Sequence, residues 1–158
     1  MGRSYFSTWR FFSAGPAWLA VAVLGTLIAL TPAHAAPLTP AQEKSVRAVV
    51  EAQLAALARD DAVKAFSFAA PNVRQAVGSA EAFLAMVQRG YPVVYRPSSV
   101  AFLKPVKPEG MGGQAIQRVQ MVDGAGDAWL AIYSLQLQKG GSWRITGCNV
   151  VANKGRMA

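Results

Sequence analysis

The chain has 158 residues, 53% of them hydrophobic, and 16 Lys and Arg against 8 Asp and Glu give a net charge of +8. One Cys excludes an internal disulfide, and one His excludes a His-rich metal cluster. The basic residues are scattered, and Lys104-Pro105-Val106-Lys107-Pro108, the densest local group, holds no aromatic to stack a base, so a nucleic-acid partner is not expected.

At the N-terminus, Arg3 and Arg10 precede an apolar run, Ala17 to Leu30, that leads to Thr31-Pro32 and then Ala33-His34-Ala35 before Ala36. This is the layout of a secretory signal peptide cut between Ala35 and Ala36. The run is shorter than the roughly 20 residues that a spanning helix needs, so a cleaved leader is expected rather than a membrane anchor. No adjacent Arg pair precedes it and no Cys stands at the cut to take lipid. The expected product is periplasmic or secreted, with 1–35 as leader, 36–152 as one domain and 153–158 as a polar tail. Cleavage also removes His34, the one His.

Thr39-Pro40-Ala41-Gln42 supplies a Thr cap, a Pro at the first helical position and a Gln three residues after the cap. The helix that follows should run to about Arg59, with Val46, Val49, Val50, Gln53, Leu54 and Leu57 on one face. Asp60-Asp61 offers caps for a second helix in which Val63, Phe66 and Ala70 share a face until Pro71, and residues 72–77 can add one turn. Gly78-Ser79 opens a third helix carrying Ala82, Phe83, Met86 and Val87, closed by Arg89-Gly90.

From Tyr91 onward, Pro92 and Pro97 with Tyr91, Val93, Val94 and Tyr95 predict extended backbone. Strands are expected over 99–104, 114–122, 128–138 and 142–152, with a Pro and Gly loop over 105–113. Asp123-Gly124-Ala125-Gly126-Asp127 and Lys139-Gly140-Gly141 mark hairpins. In the third strand Trp129, Ala131, Tyr133, Leu135 and Leu137 share one face and Leu130, Ile132, Ser134, Gln136 and Gln138 the other, so one face turns polar along its length. The fold class is α+β: three helices on one face of a curved antiparallel sheet of about four strands.

Three segments resemble a known family: Asp61-Ala62-Val63-Lys64-Ala65-Phe66-Ser67-Phe68-Ala69-Ala70-Pro71, Gly90-Tyr91-Pro92-Val93-Val94-Tyr95-Arg96-Pro97, and Trp143-Arg144-Ile145-Thr146-Gly147-Cys148. They resemble the bacterial domain-of-unknown-function family 4864, from about Ser45 to Val151. That family is similar to the nuclear-transport-factor-2-like superfamily, which implies helices wrapped by a bent sheet around a pocket, and often a homodimer. The resemblance implies fold and leaves activity to be argued from the site.

Superfamily enzymes commonly use a pocket Asp or a His–Asp pair, and here the His is lost with the leader. Glu43, Glu51 and Glu81 fall on polar helix positions, Asp60 and Asp61 fit a cap, Glu109 sits in a loop, and Asp123 and Asp127 flank a glycine hairpin. Ser and Thr lack a His to activate them, and no metal or cofactor is expected. Cys148 in its apolar segment reads as a buried, inert thiol. Tyr91, Tyr95, Trp129, Tyr133 and Trp143, with Phe83 and Met86, can form ordinary core or line an apolar pocket with Arg96 at its rim. The expected role is non-catalytic: binding of a small apolar or anionic molecule, or of an envelope protein. The alternative is a lyase or isomerase using Asp123 or Asp127 with a Tyr donor.

Overall fold

A computed structural model describes residues 37–153. The leader with its Ala35/Ala36 cut, and the tail over 154–158, lie outside the described residues. The first helix, α1 (Pro40–Ala58), starts at the expected capping box: Gln42 N–H donates to Thr39 Oγ1 at 3.3 Å, and Thr39 N–H donates to Gln42 Oε1 at 3.0 Å. Val46, Val50, Gln53, Ala56 and Leu57 are buried along it. Gln53 is tolerated in this face because its Nε2 donates to the Ala65 carbonyl at 3.2 Å, tying α1 to α2 (Ala62–Ser67).

Asp61 caps α2, accepting from Lys64 N–H at 2.9 Å. Pro71 ends that segment and begins α3 (Pro71–Val77) as its first residue, and Gly78, with φ of +92°, closes it. Ser79 caps α4 (Ala80–Gly90), whose buried residues are Phe83 and Val87.

Three expectations need correction. Val63 is 71% exposed, and Ala65 is the buried residue of α2. Phe66 and Ala70 of the expected face do turn to the core, and only Val63, in the first turn of this six-residue helix, does not. Residues 92–95 form a helical turn, α5 (Pro92–Tyr95), rather than extended chain. Pro92 fits the first helical position, and burial of Val93 and Val94 outweighs their β propensity. Asp60 is not a cap: with φ of +57° it turns its carboxylate to Tyr95 and Arg96, whose groups donate to its two oxygens.

The strands are β1 (Ser99–Phe102), β2 (Gln114–Val122), β3 (Ala128–Leu137) and β4 (Trp143–Ala152), an antiparallel open sheet in the order β1-β2-β3-β4. Both glycine-rich joins form hairpins, and β1 stops two residues before Lys104. Ala115, Gln117, Val119 and Met121 of β2 and Ala131, Tyr133 and Leu135 of β3 turn inward beneath the helices. A register shift between Ser134 and Leu135 leaves Thr146 as the extra residue of β4, which bends that strand. The outer edge of β4 is taken by the chain between α2 and α3, where Ile145 N–H donates to Phe68 O at 2.9 Å and Ala70 N–H donates to Ile145 O at 2.8 Å. The fold is therefore α+β, with α3 on the further turn expected over 72–77 and α5 as a short helical segment beyond those expected.

Candidate functional site

Two concavities flank Tyr91. The inner one, of about 100 Å³, lies between α4 and the sheet. Its walls follow from periodicity: Gln53 and Leu57 are one turn apart on α1, and Phe83, Met86 and Val87 lie at i, i+3 and i+4 on α4. Ala69 and Val73 close one side, Tyr91 and Val94 another, and Tyr133, Ile145, Gly147 and Cys148 form the floor. Phe83 is held by Phe66, ring centroids 5.4 Å apart. Met86, 39% exposed, with half-buried Val73 and exposed Gly147, forms a rim open to solvent.

The floor carries polarity. Tyr133 is 1% exposed, and its hydroxyl has no hydrogen-bond partner among the described residues. It lies beside the Cys148 thiol, its register partner on β4, without a hydrogen bond of ordinary geometry. Burial foremost, and then the neighbouring Cys148 side chain, holds the Tyr133 hydroxyl well above its usual range. Burial pushes the Cys148 thiol up to about 12. Both are neutral at physiological pH, and the thiol has none of the thiolate character that nucleophilic chemistry needs. On the other side of Tyr133 its β2 partner is Gln117, whose Nε2 donates to the carbonyls of Leu103 at 2.6 Å and Arg118 at 2.9 Å while Oε1 has no partner.

The outer cleft, of about 310 Å³, is lined by Tyr91, Arg96, Asp123, Trp129 and Asn149 among others. Arg96 is committed, donating to Asp60 Oδ2 at 2.8 Å with its guanidinium 4.7 Å from the Tyr95 ring centroid. Asp123 is committed too. Its Oδ1 accepts from Ala125 and Asp127 N–H, both at 2.9 Å, and its Oδ2 accepts from Trp129 Nε1 at 2.8 Å. These bonds, the Trp129 one foremost, hold the Asp123 carboxyl below its usual range. A carboxylate so stabilised is a poor proton acceptor, and its geometry is that of a turn anchor.

A pH effect follows from that anchor. Because the carboxyl of Asp123 is held low in the folded state, its contribution is complete above the ordinary Asp range and is lost as pH falls through the lowered folded value. In acid titrations monitored by thermal melting, Asp123→Asn should flatten the loss of stability below about pH 4. A variant curve parallel to the wild type would show that the hairpin does not depend on this charge.

Of the residues expected to form a site, Phe83, Met86, Tyr91 and Tyr133 line the inner cavity. Arg96, Trp129 and Asp123 line the outer cleft, with Tyr91 shared. Tyr95 instead donates to Asp60, and Trp143, 4% exposed, belongs to the core. Asp127 is exposed at the hairpin and contributes its backbone N–H to Asp123. Sequence reasoning missed Gln53, Val73 and Cys148 as cavity walls. Gln53 was visible as the one polar break in an apolar face, and Cys148 follows from pairing β4 with Tyr133.

Residues 39–158 match the family described as Domain of unknown function (DUF4864). The chain belongs to that family. No curated protein and no solved structure matches it. The DUF4864 match begins at Thr39, the cap of α1, and takes in every residue of both concavities.

Proposed function

We propose that this DUF4864 chain is an exported, non-catalytic protein that binds a small molecule in the inner cavity. The observation that carries the reading is an apolar cavity of about 100 Å³ with an open rim, built from α1, α4, β3 and β4. Small-molecule sites are concave and lined mostly by apolar side chains, and this one is both. The resemblance to the nuclear-transport-factor-2-like superfamily, whose members enclose a pocket between helices and a bent sheet, supports the same placement. Export rests on Arg3, Arg10, the apolar run and the Ala33-His34-Ala35 ending.

Among the described residues no carboxylate or His lines the inner cavity, which supports a binding role over the lyase or isomerase alternative. Asp123 lies in the outer cleft with both oxygens engaged. Native mass spectrometry of protein purified gently from its own cells should show a chain starting at Ala36 with a discrete added mass that is lost on denaturation. Val73→Phe, which places a ring into the cavity from its rim, should abolish the added mass while the protein stays folded. Bare protein across several growth conditions would sink the binding reading, and a chain retaining Met1 would sink export.

A further inference from the structure

The outer cleft carries one charge that nothing on its walls balances. Arg96 and Asp123 are its ionised side chains. Arg96 is offset already, with its guanidinium 2.8 Å from the Asp60 carboxylate. Asp123 makes no ion pair among the described residues. Its hydrogen-bond partners are the neutral N–H groups of Ala125, Asp127 and Trp129. Those three bonds fill most of the acceptor sites of a carboxylate and leave its charge in place. A ligand rich in hydroxyls, or an ammonium with N–H donors, would find little to bond there, and an anion would be repelled. A cation without N–H groups needs the charge alone.

The walls suit such a cation. Tyr91 and Trp129 are both half-buried and both line the cleft. The 2.8 Å bond from Trp129 Nε1 to Asp123 Oδ2 keeps the indole beside the carboxylate, so ring and charge act on the same space. Aromatic rings attract cations through their negative faces, and quaternary ammonium groups are recognised in this way. At about 310 Å³ the cleft is larger than the inner cavity. Its size reaches the range of small-molecule sites, which begins at roughly 300 Å³. We infer that the outer cleft binds the quaternary ammonium group of a small, choline-like cation, held by the Asp123 charge and by the Tyr91 and Trp129 rings. This site is distinct from the one proposed in the inner cavity and does not rest on it, although Tyr91 is a wall of both.

The test compares choline with two relatives. Neohexanol carries a neutral tert-butyl group in place of the trimethylammonium, and ethanolamine carries an ammonium with N–H donors. Binding to the purified protein is read by calorimetry at low salt and located by NMR of the tryptophan indole N–H signals. Choline should bind about tenfold more tightly than neohexanol, the scale of a partly desolvated cation against aromatic rings. Choline should also bind more tightly than ethanolamine, whose N–H groups lose hydration that the cleft does not replace. The Trp129 indole signal should move with choline, and that of Trp143, in the core, should stay. Asp123→Asn keeps the side-chain shape and should bring choline down to the level of neohexanol. Tyr91→Leu, which leaves the hairpin untouched, should weaken choline about fivefold. Equal binding of choline and neohexanol to the wild type, which needs no variant, would overturn the charge argument. Ethanolamine binding as tightly as choline would overturn the quaternary assignment. Choline that fails to bind, or binds without moving Trp129, would overturn the site itself, and none of these results touches the inner cavity.

Discussion

Trp143→Ala should lower the free energy of unfolding by about 4 kcal/mol, within the range for removing a buried large aromatic. Trp143 is 4% exposed at the start of β4 and packs in the core rather than on either concavity. Removing the indole empties a space that rigid neighbours on the sheet and helices fill only in part. The loss is read from urea unfolding followed by far-ultraviolet circular dichroism, since Trp143 is itself one of the two tryptophan fluorophores within residues 36–158. Folded Trp143→Ala protein should still bind choline. A loss below about 1 kcal/mol together with lost choline binding would move Trp143 from the core to the site.

Leu57→Ala should cost about 3 kcal/mol and, unlike Trp143→Ala, change what the protein binds. Leu57 is completely buried on α1 and also forms part of the cavity wall. Shortening it joins new empty space to the existing cavity, so the variant should accept an apolar probe such as naphthalene that the wild type excludes. Saturating naphthalene should then raise the melting temperature of Leu57→Ala and leave the wild type unmoved, because a ligand that binds the folded state in preference to the unfolded one raises the melting temperature. A melting temperature indifferent to naphthalene in the variant would show that the wall residue and the cavity are uncoupled.

Much of the architecture was legible because it is written in local chemistry. The Thr39-Pro40-Ala41-Gln42 start and the Ser79 cap formed as read, and the two glycine-rich turns joined the strands they were expected to join. What was hidden depends on partners far along the chain. Asp60 beside Asp61 looks like a cap until Tyr95 and Arg96, 35 and 36 residues away, arrive at its carboxylate. Tyr91 to Tyr95 carries strand-forming residues, yet burial of Val93 and Val94 under the helices decides for a turn of helix.

The site was half legible for a related reason. Residue type marked Phe83, Met86, Tyr91 and Tyr133 as lining material, and helical spacing put the first two together. Type could not separate them from Trp143, which has the same chemistry and sits in plain core. Nor could it divide one expected pocket into two, because Arg96 and Trp129 reach a different concavity only once α5 and the hairpin at Asp123 are in place.

The two backbone bonds between Ile145 and the 68–70 segment bear on how the chain comes to be folded as it is made. A growing chain yields α1 to α5 long before β4, yet the joint between α2 and α3 completes its bonding only with a residue more than seventy positions later. Until that last strand leaves the ribosome, Val46, Val50 and Leu57 have only an unfinished sheet to pack on. Such late closure keeps a nascent chain pliable for most of its synthesis. A truncation that ends before Trp143 should stay protease-sensitive throughout its helical half.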